Sequence, residues 1–176
     1  MGDPVTGWWR RNAVSLVALA VLAPATAVAI SLGVWAEEGG KRASEEITVA
    51  PGGVIDLVGS RIGPAEAAFT DEAESAPPGA RVVAVTVDVA PGPDGIACTG
   101  LVLREQATGR QWDEDSASSV GVPYDPDRTT YCDQAQTAPF TLSLFYLVPD
   151  DAAGPFTLEF VSGPALPTFA GFVLEP

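Results

Sequence analysis

Between Ala13 and Ala36 the chain carries no charged side chain, and this block limits what the N-terminal part can become. Twenty-four uncharged residues (AVSLVALAVLAPATAVAISLGVWA) form a helix longer than the ~30 Å hydrocarbon layer at 1.5 Å rise per residue. Trp8 and Trp9 stand before it and Trp35 at its far edge, where indole rings favour the headgroup region. Arg10 and Arg11 mark the expected cytoplasmic end. The reading is a cytoplasmic tail over 1–12, a transmembrane helix over 13–36, and a C-terminal domain outside the cytoplasm. Lys41 and Arg42 nearly balance the charge count, so orientation leans on the short tail and on the cysteine pair Cys98 and Cys132. Pro24 falls mid-span and is expected to kink the helix.

A cleaved signal peptide is the rival reading of the same block. Basic residues, the apolar run Ala13–Ala23, and then Ala25-Thr26-Ala27 or Ala27-Val28-Ala29 suit a signal peptidase. Against cleavage, apolarity continues to Trp35 and would leave a greasy tail. No cysteine lies there to accept a lipid. Either route exports the remainder.

Beyond the block the chain changes character. Of 23 acidic and nine basic residues in the whole protein, 22 and seven lie from Glu37 onward, a net of −15 there. Such a surface repels phosphate, which excludes a nucleic-acid partner and leaves the bilayer contact to residues 13–36. Cys98 and Cys132 are the only cysteines; in an exported domain an isolated pair reads as a disulfide. Closing that loop is worth roughly 3–4 kcal/mol on the chain-entropy argument.

Residues 37–51, which open with EEGGKRASEE, read as an aperiodic juxtamembrane linker. From 52 to 176 short β-like runs alternate with turn clusters. Val54–Val58 lies between Pro51-Gly52-Gly53 and Gly59. Arg81–Ala90 has period two, with Val83, Val85, Val87 and Val89 on one face and Val82, Ala84, Thr86 and Asp88 on the other. Leu101–Glu105 and Gln111–Asp113 flank Ala107-Thr108-Gly109-Arg110, a hairpin signal. Phe140–Val148 places Phe140, Leu142, Leu144 and Tyr146 in phase; Pro155–Val161 does the same for Phe156, Leu158 and Phe160; Phe169–Leu174 closes the chain. Glu66–Glu74 is short and acidic, and is expected to be a loop or one helical turn. About seven strands with no helical period predict an all-β domain, a two-sheet antiparallel sandwich.

The succession Arg81–Ala90, Leu101–Glu105, Thr108-Gly109-Arg110-Gln111-Trp112, then Phe140–Pro149 with Asp150-Asp151-Ala152 and a closing PFTLEF strand resembles a known group. It is similar to the bacterial immunoglobulin-like extracytoplasmic domains of unknown function carried on lipoproteins and single-pass anchors. The rhythm of that family falls on Gln106–Trp112 and Phe145-Tyr146-Leu147-Val148-Pro149 and covers residues 52–176. The resemblance implies an immunoglobulin-like sandwich and carries over no catalytic residue. Ala90-Pro91-Gly92 stands where the family's usual Asn follows the second strand.

The chemistry open to the domain is narrow. With no histidine there is no Ser-His-Asp or Cys-His arrangement and no His-ligated metal, and two cysteines do not close a structural zinc site. Gly52-Gly53 and Gly92/Gly95 sit beside prolines and precede strands, unlike a phosphate loop. Asp125, Asp127, Thr129 and Asp133 have the odd spacing of a calcium loop, but the glycine and the bidentate Glu are missing and Asp125-Pro126 is stiff; turn formation explains the aspartates as well. Asp113-Glu114-Asp115 and Asp150-Asp151 read as solvated turns, and nothing positions a carboxylate pair for glycoside hydrolysis. No cofactor is expected. Trp112 and Tyr146 belong to strands and to the core. The irregular stretch Ser116–Ala138, tied down by Cys132, is the expected contact loop, with Tyr124, Asp125, Asp127, Arg128 and Tyr131 facing an envelope or membrane protein partner. The expected role is a non-enzymatic, membrane-anchored binding module. The alternatives are an accessory subunit of a membrane complex that associates through its helix, and a secreted domain freed by cleavage.

Overall fold

Pro24 removes one backbone donor from the apolar segment, yet helix continues through it. In the computed structural model, which describes residues 4–38, 41–71, 73 and 76–176, α1 runs over Pro4–Glu38. Readings that fall on residues 1–3, 39–40, 72 and 74–75 lie outside the described residues. The Thr26 hydroxyl donates to the Leu22 carbonyl (2.7 Å) and Ser31 to Ala27 (2.8 Å), so both polar groups are satisfied within the helix. Apolar side chains point outward on every side of α1: Val14, Val17, Leu19, Leu22, Val28 and Ile30 are all exposed. Gly7–Trp35 is long and apolar enough to cross a bilayer, and a signal sequence near an N-terminus shares those properties. The chain divides into two units, Met1–Arg42 and Ala43–Pro176.

Among the described residues of the second unit the regular elements are all strands, apart from a 3-10 turn at Gly163–Ala165. Its strands are β1 Glu45–Val49, β2 Ile55–Leu57, β3 Ser60–Thr70, β4 Ala80–Ala90, β5 Cys98–Glu105, β6 Gln111–Asp113, β7 Phe140–Pro149, β8 Phe156–Ser162 and β9 Thr168–Leu174. They form a five-stranded sheet, β1-β9-β8-β5-β6, and a four-stranded sheet, β2-β3-β4-β7. All pairings are antiparallel except β1 with β9.

Period-two alternation in β4 buries Val83, Val85, Val87 and Val89, and β7 answers with Leu142, Leu144, Tyr146 and Val148. Val83 pairs with Tyr146, Val85 with Leu144 and Val87 with Leu142, so one valine row lies against one large-residue row. From the other sheet Leu103, Phe156, Leu158, Phe160, Phe172 and Leu174 close the same core. Each such side chain contributes roughly 1.5–3 kcal/mol by leaving water. The Tyr146 hydroxyl donates to the Leu101 carbonyl (3.1 Å), which satisfies the one polar atom of a fully buried ring. Trp112 packs on the core edge against Phe156.

Two strands exceed the sequence expectation of about seven. Glu45–Val49, inside the expected linker 37–51, is β1. Only Val49 of it is buried, so hydrophobic periodicity carried no signal; the strand is held by backbone pairing with β9 and by charge. Arg104 on β5 donates to Glu159 on β8 (2.7 Å) and to Glu46 on β1 (2.9 Å), so the contact spans β8 and β9. Gly171 makes that crossing feasible, because a Cβ there would run into the Glu46 carboxylate. The second correction concerns Glu66–Glu74, whose first five residues belong to β3. Ile62 and Ala65 anchor β3 in the core; a bulge lies between them at Gly63, whose φ is +101°. Eight pairings to β4 override the poor strand propensity of its alanine-rich second half.

Candidate interaction surface

Ser116–Ala138 contains no strand, but it is not loose. A tight turn at its start, with the Val122 N–H donating to the Ala117 carbonyl (2.8 Å), aims Val120 and Val122 inward. Both are buried against Val82 and Phe145 on the outer face of β4 and β7, with Ala84, Ala117 and Leu147 around them. That outer face reads as small and polar in β4 alone; the loop turns its apolar members into a second, smaller core. Just before the loop Asp115 donates its N–H to the Phe145 carbonyl, and within it the Thr129 carbonyl accepts the Ser143 N–H, both at 2.8 Å. These bonds cover the edge of β7, which would otherwise offer unpaired backbone groups.

The far end is fixed covalently. Cys98, at the start of β5, is bonded to Cys132, with Cα atoms 5.5 Å apart. Beside it the chain crosses itself closely: Gly95 has φ +70°, and any Cβ there would collide with the Gln134 carbonyl. The expected disulfide is therefore present, and it pins the loop's end to the five-stranded sheet while the two valines pin its start to the other sheet.

Between these anchors the ring of Tyr124 is 90% exposed and Tyr131 69% exposed. The aspartates near them serve the turns. Asp125 accepts the Asp127 N–H (3.0 Å), and Asp133 accepts that of Ala135 (2.9 Å). Arg128 donates to the Pro123 carbonyl (3.1 Å), lies 3.9 Å from the Asp125 carboxylate and sits 5.4 Å above the Phe145 ring. Asp125, Arg128 and Tyr124 thus come together, whereas Tyr131 lies beyond the Thr129 bridge. Among the described residues no group of three or more metal-binding side chains converges.

An open cleft of about 470 Å³ lies against this loop, walled by Ala117, Val122, Pro123 and Tyr124 and rimmed by Glu114 and Asp125. Glu114, expected in a solvated turn, has a different setting. It keeps part of its surface in solvent, yet neighbouring protein atoms desolvate its carboxyl and, with the negative charge of Asp115, push it up to about 7. Only its position next to a strand end facing an apolar loop could have signalled this, and that loop's fold was not visible in the sequence.

Among the described residues one carboxylate is fully buried, Glu105, and it is structural. Thr108 donates to it, as do Arg110 (2.9 Å) and the Ala153 N–H (3.1 Å). The bond from Thr108, with those partners, holds the carboxyl below the usual carboxylate range. Arg110 also reaches Asp151 (2.9 Å), so the network ties the β5–β6 hairpin to the β7–β8 turn. In the first unit, Trp8 and Trp9 meet edge to face at one end of the apolar stretch beside Arg10 and Arg11, and Trp35 is 80% exposed at the other.

No protein-family model, no curated protein and no solved structure matches this chain.

Proposed function

We propose that this chain is a membrane-anchored, extracytoplasmic binding module without catalytic activity, an immunoglobulin-like sandwich on a single N-terminal span. The strand order favours that architecture: β3-β4-β7 opposite β6-β5-β8-β9 follows the A-B-E and C′-C-F-G succession of immunoglobulin domains. The disulfide suits an oxidising compartment, which agrees with α1 as an anchor and the second unit outside the cytoplasm.

One observation carries the binding role. Two tyrosines are held out into solvent by a loop that is bonded to both sheets, so they are preorganised at little further entropic cost. Aromatic anchors of this kind dominate interface energetics. Deleting the loop would also remove the Thr129 bridge, so substitution is the sharper test. Tyr124→Ser/Tyr131→Ser should leave the unfolding temperature unchanged and abolish recovery of an envelope partner crosslinked to the full chain in its host membrane. Undiminished recovery would reject the loop as the contact surface.

A further inference from the structure

The charge and shape of the cleft under Tyr124 speak to what sort of partner it accepts. Its apolar wall (Ala117, Val122, Pro123) and the aromatic ring would shelter an aliphatic stem, while Asp115 and Asp125 give the rim two carboxylates and Glu114 a third carboxyl, about half ionised at pH 7. Arg128 is the one cation in the lining. Its guanidinium is already engaged by the Pro123 carbonyl, by Asp125 and by the face of Phe145, so it offers little to an anion. The unit around the cleft carries a large negative excess, which repels acidic partners and steers basic ones inward. The cleft is neither sealed nor flat, a shape in which a length of chain can lie with both ends in solvent.

We infer that the cleft between residues 114–118 and 122–130 takes an extended, basic polypeptide segment, seating a lysine or arginine stem along Val122 and Pro123 with its cationic head between Tyr124 and the carboxylate rim. A cation over an exposed tyrosine face is worth about 0.5–1 kcal/mol, and more once water is displaced. A long basic side chain has both an apolar stem and a charged tip, which matches the two halves of the lining. This inference rests on the binding-module reading and adds the chemistry of the partner.

The test uses the full chain in nanodiscs of zwitterionic lipid, with empty nanodiscs as blank and a fluorescent nona-arginine peptide as probe at about 150 mM salt. Tyr124→Ser/Glu114→Gln should weaken binding about tenfold or more. Asp56→Asn, which removes one charge from the exposed edge strand β2, should change it less than about twofold. Equal weakening by both variants would reduce the attraction to general surface charge and overturn the proposal. So would unchanged binding in the cleft variant. Tyr124→Ser alone serves as a second variant, since a ring so exposed does not support the fold. If nona-arginine fails to bind while the tyrosine pair still governs partner recovery, the basic-segment inference falls and the binding-module reading stands.

Discussion

Strand β1 and the 116–138 loop both lie along margins of the same two sheets, and they are fastened by opposite means. β1 is regular: five residues pair in parallel register with β9. Yet it buries one side chain and relies on the Glu46–Arg104–Glu159 bridge, and ion pairs this close to solvent are worth about 0–1 kcal/mol. The loop is irregular, but two valines enter an apolar cluster, a backbone bridge at Thr129 follows β7, and a disulfide closes the end. Burial and covalent closure outweigh exposed charge, so the irregular segment is the firmer of the two. Regular backbone geometry is a poor guide to how strongly a peripheral segment is attached; what it buries is a better one.

The loop's attachment rests most heavily on the disulfide. Cys98→Ser/Cys132→Ser should cost about 3–4 kcal/mol and lower the unfolding temperature by roughly 10 °C or more. Amides near Val120 and Val122 should keep their protection while those around 129–138 lose it. A change of only a degree or two would mean the valines alone hold the loop. At the other margin, Gly171→Ala places a methyl group where the Glu46 carboxylate lies and should cost about 1 kcal/mol. Hydrogen exchange should then quicken in β1 but not in β8. If β1 exchange is unmoved, the ion-pair bridge contributes nothing to holding the strand.

The same contrast explains which parts of the molecule were legible in its sequence. β4, β7 and β8 announce themselves because their alternation is dictated by a core they help to build: Val83 to Val89, Leu142 to Val148 and Phe156 to Phe160 are all buried in phase. The hairpin at Gly109 is legible for a local reason, the positive φ of +72° that glycine supplies. β1 is illegible because its pairing partner lies more than 120 residues away and its side chains face solvent. β3 is obscured by alanines whose small size, fitting against β4, looks like loop composition in isolation. Around the candidate site, the disulfide and the exposure of Tyr124 and Tyr131 are the features that residue type and position foretell. The cleft is not, because it depends on where Val120 and Val122 come to rest, and neither is the burial of Glu114, which only the folded chain creates.

Glu114 gives the finest measure of how far the chain just past β6 withdraws a carboxyl from water. In the unfolded chain its carboxyl ionises near the usual 4.5, and in the folded protein near 7, because burial and the charge of Asp115 disfavour the ionised form. Below about pH 4.5 the group is neutral in both states and no penalty arises. Between pH 4.5 and 7 the unfolded chain ionises while the folded protein still holds the proton, so stability falls; above 7 both are ionised and the loss is constant. Glu114→Gln removes that dependence: relative to the parent, the variant should gain stability progressively between pH 4.5 and 7 and hold a constant advantage above 7. The effect should be the smallest of the three, since water still reaches part of the side chain. Urea unfolding of both proteins at pH 5, 6, 7 and 8 decides it. Parallel pH profiles would mean that the carboxyl is solvated as an ordinary turn residue and that the fold around the end of β6 does not disfavour its charge.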